Sequence, residues 1–197
     1  MNLTKIMIVA VGGQGNILAA RVIGEAAITV GVPVRMSEFH GMAQRGGVVE
    51  SMVLLGDGNS SCISDGDADV LLGFEPCETI RAMHKCNAAS VVITNIQPVP
   101  PFTVGLGMDK YPDVGKAMGK IKNRVQSLVS FDATSLSLQT GSKLSLNMVM
   151  LGALAHTLAE PLTPDLFRQV IQEKTKASFV KSNLRAFDLG YEAGSSI

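Results

Sequence analysis

The chain has 197 residues and is electrically balanced, with 17 Lys and Arg side chains against 17 Asp and Glu side chains. This length suits a single domain over residues 1–197, and the neutral balance gives no global field that would attract nucleic acid or an anionic membrane. An apolar fraction of 46%, with only 5% aromatic residues, predicts an aliphatic core.

The N-terminal segment predicts a buried strand, a glycine loop and a helix. Residues 5–11 form a continuous apolar run, which is typical of a parallel strand buried on both faces. The loop Gly12-Gly13-Gln14-Gly15 follows, and residues 17–27 have the composition of a helix. This order places backbone N–H groups and a helix dipole where an anion could bind. The alternative is a tight turn that simply needs small residues.

Two known phosphate-binding patterns do not fit this glycine loop. The first glycine of G-x-G-x-x-G would fall on Ala10, and no Gly-Lys-Ser/Thr follows as in a Walker loop. The acidic residue that binds ribose at the end of a second strand is also missing, unless Glu38 takes that place. The loop alone is therefore a weak signal for a nucleotide.

The next segments predict two strands joined by a polar loop. Residues 32–37 and 48–55 are strand-like, and they are connected by the run Glu38-Phe39-His40-Gly41-Met42-Ala43-Gln44-Arg45-Gly46-Gly47. Gly56-Asp57-Gly58 then supplies turn residues before a short strand near residues 61–63. We therefore expect an antiparallel hairpin over residues 48–63.

The polar loop carries more chemistry than a connector needs. Glycine permits close backbone approach, and the guanidinium of Arg45 offers a fixed fork of donors for phosphate or carboxylate. Histidine is the side chain whose reference pKa, about 6.5, lies nearest to neutral pH, so His40 is a candidate for acid–base work. Loop anchoring or ligand contact is its preferred role, and no residue is assigned as catalytic. The alternative is an ordered turn with a buried arginine ion pair. The candidate site residues in this loop are His40, Gly41, Gln44, Arg45, Gly46 and Gly47.

The rest of the chain alternates strands and helices and then becomes helical. Thr163 is predicted to cap a helix with Pro164 at its first position, and Asn147 is a candidate cap for the helix before it. The predicted strands are 70–73, 89–95 and 125–131; the predicted helices are 75–85, 112–123, 146–158, 163–173 and 178–190, with a proline-rich loop at 97–111.

The two glycine-containing loops together resemble the gamma domain of 2-oxoacid:ferredoxin oxidoreductases. The shared order is strand, Gly-Gly-Gln-Gly, helix, strand, Glu-x-His-Gly-x-Ala-Gln-Arg-Gly-Gly, strand. Matching segments continue at residues 68–76, 147–153 and 187–191, so the resemblance covers nearly the whole chain. As a short stand-alone chain, it is most similar to the beta subunit of indolepyruvate:ferredoxin oxidoreductase. Ala10, where the family often has glycine, adds only a methyl group.

The resemblance implies a subunit that is not active alone. The implied reaction is oxidative decarboxylation of a 2-oxoacid, with indolepyruvate or another aryl pyruvate favoured. Coenzyme A would be a co-substrate, and the products would be an acyl-CoA, carbon dioxide and reduced ferredoxin. A large partner subunit would carry thiamine diphosphate and the iron–sulfur clusters, and ferredoxin would be an indirect partner.

For the fold, we expect a Rossmann-like, doubly wound α/β sheet that is mostly parallel, with an antiparallel hairpin and a helical C-terminal region. Both glycine loops should lie at the carboxyl ends of strands and face one another. We hypothesise that Gly12, Gly13, Gln14 and Gly15 form a site with the histidine-containing loop at the partner interface. That site would receive the phosphate end of coenzyme A or residues of the thiamine-carrying subunit.

A second class of function stays open. The chain could be a stand-alone nucleotide-binding module, acting in regulation or as a dinucleotide oxidoreductase. The incomplete glycine fingerprint argues against this alternative.

No cofactor or metal is expected on this chain alone. Cys62, Cys77 and Cys86 form neither a C-x-x-C pair nor an iron–sulfur run, so free thiols in a reducing cytoplasm are expected. His84 and His156 have no second ligand one helical turn away, so no metal site is predicted.

Two further segments are predicted to be ordinary structure. Gly56-Asp57-Gly58 resembles the start of a thiamine diphosphate motif, but the paired asparagines that end that motif are missing, which favours a turn. Residues 1–11 are apolar but too short to span a bilayer.

Overall fold

The computed structural model describes residues 3–41, 46–58 and 60–195, without the side chains of Phe102 and Thr103. Within this part of the chain lies a six-stranded sheet in the order β2-β3-β1-β4-β5-β6. Strands β1, β4, β5 and β6 are parallel, whereas β3 runs antiparallel to both β1 and β2. The expected mostly parallel α/β sheet is confirmed. The strand bounds are β1 (Thr4–Val11), β2 (Val34–His40), β3 (Val48–Leu55), β4 (Ala68–Gly73), β5 (Cys86–Asn95) and β6 (Ser127–Phe131).

Helices cover both faces of the sheet, as a doubly wound fold requires. The helices, in chain order, are α1 (Asn16–Thr29), α2 (Pro76–Ala82), α3 (Phe102–Gly105), α4 (Val114–Lys122), α5 (Ala133–Leu138), α6 (Leu146–Leu154), α7 (Pro164–Lys174) and α8 (Val180–Gly194). Helices α1, α5, α6, α7 and α8 pack in one apolar cluster, and α2 and α4 pack in the other. No described helix is both long and apolar enough to cross a membrane.

Strand β1 is apolar along its whole length because both of its faces are buried. Ile6 and Ile8 point into the cluster with α1 and α6, whereas Met7 and Val9 point into the cluster with α2 and α4. All four side chains are completely buried. Burial of each large aliphatic side chain contributes roughly 1.5–3 kcal/mol. The central strand therefore holds the glycine loop that follows it in a fixed position.

The antiparallel hairpin lies elsewhere than predicted. Strands β2 and β3 form it, from the pair Val34 and Leu55 to the pair His40 and Val49, and the polar loop is its turn. The predicted strand near residues 61–63 is wrong. The chain leaves the sheet at Gly56, whose φ is 102°. The backbone N–H of Ile63 then points at the sulfur of Met52 instead of a strand partner.

Several predicted boundaries shift. Strand β2 continues to His40, so the polar loop is shorter than residues 38–47, and a 3-10 turn over Met83–Lys85 follows α2. Helix α5 was not predicted, and the loop at 97–111 contains the short helix α3. The predicted cap of α7 is confirmed, because the hydroxyl of Thr163 accepts a hydrogen bond from the Leu166 N–H at 3.2 Å.

Candidate site at the paired glycine loops

The two glycine loops lie side by side at one edge of the sheet. The first follows the carboxyl end of β1 and the second follows the carboxyl end of β2, and these strands are parallel to each other because each is antiparallel to β3. The Gly12 N–H donates to the Gly47 carbonyl at 2.9 Å. The sheet topology and this hydrogen bond therefore bring together two loops that are about 30 residues apart in the chain.

Gln14 fixes the first loop by bonding its own backbone surroundings. Its side-chain carbonyl accepts from the Val11 N–H at 2.8 Å, and its amide donates to the Phe74 carbonyl at 3.2 Å. The amide of Asn95 donates to the same carbonyl at 3.0 Å. The carboxyl ends of β1, β4 and β5 are thus tied together by neutral hydrogen bonds. Both ends of the Gln14 side chain thus bond the backbone.

Gly15 needs to be glycine for two reasons. Its φ is 83°, and a Cβ there would lie 2.7 Å from the amide nitrogen of Asn147. That nitrogen donates to the Gly15 carbonyl at 3.3 Å. The prediction that Asn147 caps α6 is wrong, because the N-cap is Ser145 and Asn147 lies in the first turn of the helix. Its side-chain oxygen accepts from the Met148 N–H, while its nitrogen holds the first loop from across the fold. Gly13, with a φ of 97°, has open space around it.

Residues of both loops line an open cleft of about 700 Å³. The first turn of α1 opens onto it. The N-cap of this helix is Gly15, which has no side chain to bond the first backbone N–H groups. Free N–H groups at a helix start favour an anion or a carbonyl oxygen. The described lining residues are Gly12, Gly13, Gly15, Asn16, Ile17, His40, Gly41, Gly47, Val48 and Val49.

His40 lies on the rim of this cleft. It is the last residue of β2, its side chain is exposed, and no described residue is hydrogen-bonded to its ring. A catalytic histidine is normally oriented by a second group that bonds its other nitrogen. The described residues supply no such group, and the role of His40 stays a prediction. Gln44 and Arg45, with Met42 and Ala43, lie outside the described residues.

Two buried acidic residues at this end of the sheet were not predicted from the sequence. Glu75 and Glu78 follow β4, and they are only 1% and 6% exposed. Glu75 caps α2 by accepting from the Glu78 N–H at 3.0 Å, and it also accepts from the Val99 N–H and the Tyr111 hydroxyl. Burial and the bond to Glu75 raise the pKa of Tyr111. An acidic residue placed directly after a predicted strand, and followed by proline, was the available signal.

Glu78 carries an incompletely paired buried carboxylate. One oxygen accepts from the Arg81 guanidinium at 2.6 Å, but the other, Oε2, is buried with no described partner. It borders a small cavity of about 160 Å³ that also contacts Gly46 and Gly47. Burial raises the pKa of Glu78, and the neighbouring Arg81 only partly opposes this effect. A buried acid therefore faces the second loop.

We predict that Glu78 makes the protein less stable as pH rises above the ordinary glutamate pKa of 4.5. The folded chain holds this proton more tightly than the unfolded chain does, so the stabilisation is complete below that value and is lost as pH rises through the raised, folded-state pKa. Glu78→Gln should flatten this part of the pH profile. Urea unfolding from about pH 4 to about pH 8 measures it.

Glu192→Gln is the matched control, because it removes an exposed carboxylate from α8. The control should keep the slope that Glu78→Gln removes. Equal slopes in wild type and Glu78→Gln would contradict the assignment.

The other candidate metal ligands and thiols have structural roles or stay apart. His156 stacks on Tyr191 with ring centroids 4.0 Å apart, and its Nε2 lies 2.6 Å from the Tyr191 carbonyl oxygen. Burial raises the pKa of Cys77 and raises that of Cys86 to about 11, which disfavours the thiolate that a metal needs. The described residues contain no group of three or more His, Cys, Asp or Glu side chains that could hold a metal ion.

The strand order also bears on the dinucleotide alternative. In a dinucleotide-binding sheet the second strand lies beside the first and ends with the ribose-binding acid. Here β3 separates β2 from β1, so Glu38 lies two strands away from the first glycine loop. This arrangement does not provide the ribose contact.

The fold and its cleft define a three-layer α/β protein with paired glycine loops. The loops follow the carboxyl ends of β1 and β2, two parallel strands that are separated by β3. Residues 5–193 match the family described as pyruvate ferredoxin/flavodoxin oxidoreductase, and the chain belongs to this family.

Similar proteins cover almost the whole chain. It is 41% identical over 189 residues to the indolepyruvate oxidoreductase subunit IorB of Methanothermobacter thermautotrophicus, covering 96% of both chains. It is 36% identical over 191 residues to the protein of that name from Pyrococcus horikoshii, covering 96% of this chain and 95% of the relative.

Solved structures share the fold. The gamma subunit of a keto/oxoacid ferredoxin oxidoreductase from Geobacter sulfurreducens is 23% identical with a TM-score of 0.71, and covers 98% of this chain and 99% of its own. A 2-oxoglutarate:ferredoxin oxidoreductase from Magnetococcus marinus, solved with 2-oxoglutarate, coenzyme A and succinyl-CoA bound, has a TM-score of 0.76 and 20% identity. This chain matches 32% of that longer chain.

Proposed function

We propose that this chain is the small subunit of a ferredoxin-dependent 2-oxoacid oxidoreductase that acts on indolepyruvate or related aryl pyruvates. The observation that carries the proposal is the 41% identity to an indolepyruvate oxidoreductase subunit over 96% of both chains. The reaction is oxidative decarboxylation with coenzyme A, which yields an acyl-CoA, carbon dioxide and two electrons for ferredoxin.

The thiamine diphosphate and iron–sulfur clusters of this reaction belong to a large partner subunit. The residues of this chain do not fit either group. Cys62 is exposed, while Cys77 and Cys86 are partly buried thiols with raised pKa values, so they are poor cluster ligands. The Gly56-Asp57-Gly58 turn is not followed by the paired asparagines of a thiamine site.

The cleft at the paired loops is the proposed contact with coenzyme A or with the partner subunit. Backbone N–H groups at the start of α1 and the open space around Gly13 suit a phosphate oxygen or a partner carbonyl. The described cleft residues include no Lys or Arg, so Arg45 is the cation that we assign to this site. Its fork of donors would supply the charge that the glycine loops lack.

Reconstitution tests the proposal. The purified chain alone should be colourless and should not turn over 2-oxoacids, because it lacks cluster ligands and a thiamine motif. Added to the thiamine-carrying subunit, it should bind and restore indolepyruvate-dependent and coenzyme A-dependent reduction of ferredoxin. Iron and sulfide in stoichiometric amounts on the isolated chain, or turnover without the partner, would contradict the proposal.

A further inference from the structure

A second cavity lies on the helical side of the molecule and is lined in part by Asn147, which also bonds the first glycine loop. It has a volume of about 350 Å³, within the range of small-molecule sites. Helix α1, the start of α6 and the connection from α7 to α8 form its walls, and it shares no described lining residue with the loop cleft. The residues that carry the argument are Arg21, Ser145, Lys174, Lys176, Phe179 and Asn183.

Two buried polar side chains face this cavity without partners. Ser145 is 2% exposed and Asn183 is 7% exposed, and neither side chain is hydrogen-bonded to a described residue. Their polar atoms keep some accessible surface, because the only fully enclosed, unpaired side-chain atom among the described residues belongs to Glu78. Buried polar groups are nearly always hydrogen-bonded in native proteins. The Ser145 hydroxyl and the Asn183 amide are therefore both available to hydrogen-bond a ligand in this cavity.

The neighbouring polar side chains are satisfied, which sets this pair apart. The Ser142 hydroxyl accepts from the Leu144 N–H at 3.2 Å, and Asn147 uses both ends of its amide. Ser145 stands at the N-cap of α6 but makes no side-chain cap bond. Its hydroxyl can therefore donate to an acceptor atom of a ligand at the N-terminal end of α6, where the helix dipole is positive.

The charge around the cavity favours an anion. Arg21, Lys174 and Lys176 line it, and among the described residues Glu25 is the one carboxylate that forms ion pairs with them. The Nζ of Lys174 lies 3.2 Å from Glu25, whereas Arg21 lies 3.9 Å away and Lys176 is paired with no described residue. The cations exceed the carboxylate by two charges, which suits a phosphate dianion.

The rim of the cavity is apolar. Leu144 is 72% exposed and Phe179 is 43% exposed, so both can contact an apolar part of a ligand. An anion with a flat apolar part could place its charge among the cations and its ring against Phe179. A nucleotide combines these two parts, because it carries an anionic phosphate and a flat base.

We propose that this cavity binds a phosphate monoester of a nucleotide, with Ser145 and Asn183 donating hydrogen bonds to phosphate oxygens and Lys176 and Arg21 supplying charge. The phosphate could belong to a free mononucleotide or to the nucleotide end of coenzyme A. The site itself does not depend on the proposed function, because the first test uses this chain alone.

Titration of the full chain with adenosine 5′-monophosphate, followed by ¹H–¹⁵N NMR, tests the site. Shifts should concentrate at Ser145, Lys176 and Asn183. Lys176→Gln and the double variant Ser145→Ala/Asn183→Leu should each lower the affinity by roughly ten- to hundredfold. Lys181→Gln, an exposed charge change on α8 that does not line the cavity, is the matched control and should bind as wild type does.

A second arm identifies the source of the phosphate. In the reconstituted enzyme, a raised KM for coenzyme A in Lys176→Gln assigns the site to coenzyme A, and an unchanged KM with lost mononucleotide binding assigns it to a free nucleotide. The proposal is overturned if about 10 mM mononucleotide causes no shifts at the cavity, or if the folded variants bind as wild type does. It is also overturned if the variants only weaken association with the partner subunit, because the surface is then a protein interface.

Discussion

Arg45→Ala is expected to raise the apparent KM for coenzyme A, or to weaken association with the thiamine-carrying subunit, by roughly 10- to 150-fold. A bidentate contact from guanidinium to phosphate or carboxylate contributes about 1.5–3 kcal/mol, and each 1.4 kcal/mol corresponds to about a tenfold change. Gly47 borders the loop cleft and is bonded directly to Gly12, and Gly46 borders the small cavity beside Glu78. The loss should therefore be felt at the site shared by both loops.

Steady-state kinetics and subunit titration on the reconstituted complex measure this effect. Arg124→Ala is the matched control, because Arg124 is exposed and precedes β6. Strand β6 is the edge strand opposite β2, on the side of the sheet that lies far from the cleft. Arg45→Lys adds a second comparison: it keeps the charge but loses the fork, so partial recovery would show that geometry matters. If Arg45→Ala leaves KM and association unchanged, or simply unfolds the chain, the loop is structural.

The sequence was sufficient to predict which loops come together. The apolar run of β1 and the glycines after it define a strand, a loop and a helix locally, and the carboxyl ends of parallel strands share one edge. The order of strands was not predictable in the same way. The insertion of β3 between β1 and β2 depends on pairings between distant segments, and periodicity carries no information about which strands are neighbours.

The polar contacts around the site also divide into those with a local sequence signal, which can be predicted, and those between distant residues, which cannot. Thr163 caps α7 as predicted because the capping signal is local. Asp132 caps α5 in the same way, by accepting from the Ser135 N–H at 2.8 Å, and this short signal was available but too weak to predict a six-residue helix. The bond from Asn147 to Gly15 joins residues 132 positions apart and has no local signature.

The burial of the acids after β4 could be identified only from the structure around them. Glu75 and Glu78 are ordinary helix-start residues in the sequence, where negative charge is favourable. The Val99 N–H and the Tyr111 hydroxyl, both in the proline-rich loop, donate to Glu75 from a segment that is distant in the sequence. The structure therefore adds buried acidic residues to the end of the sheet at which the glycine loops lie.

Gly190→Ala is expected to lower the free energy of unfolding by about 3 kcal/mol or more, the upper end of the cost of overpacking a core. A Cβ at Gly190 would lie 1.8 Å from the Val149 carbonyl oxygen, and a Cβ at Gly152 would lie 2.0 Å from the Phe187 carbonyl oxygen. Helices α6 and α8 thus touch backbone to backbone at these two glycines, and again at Gly194, where a Cβ would lie 2.8 Å from the Ala153 Cα. A carbonyl cannot swing aside as a side chain can, so the helices must separate.

Thermal unfolding of Gly190→Ala should show a Tm lower by roughly 6–12 °C, since about 2–4 °C corresponds to each kcal/mol in a protein of this size. Gly119→Ala is the matched control: Gly119 lies inside α4 with nothing near its Cβ position, so the change should be neutral or stabilise by about 0.5–1 kcal/mol. Because α6 also carries Asn147, its displacement should loosen the first glycine loop and raise the KM for coenzyme A in the variant that remains folded. A Gly190→Ala protein as stable as the control would show that the two helices can separate at no cost.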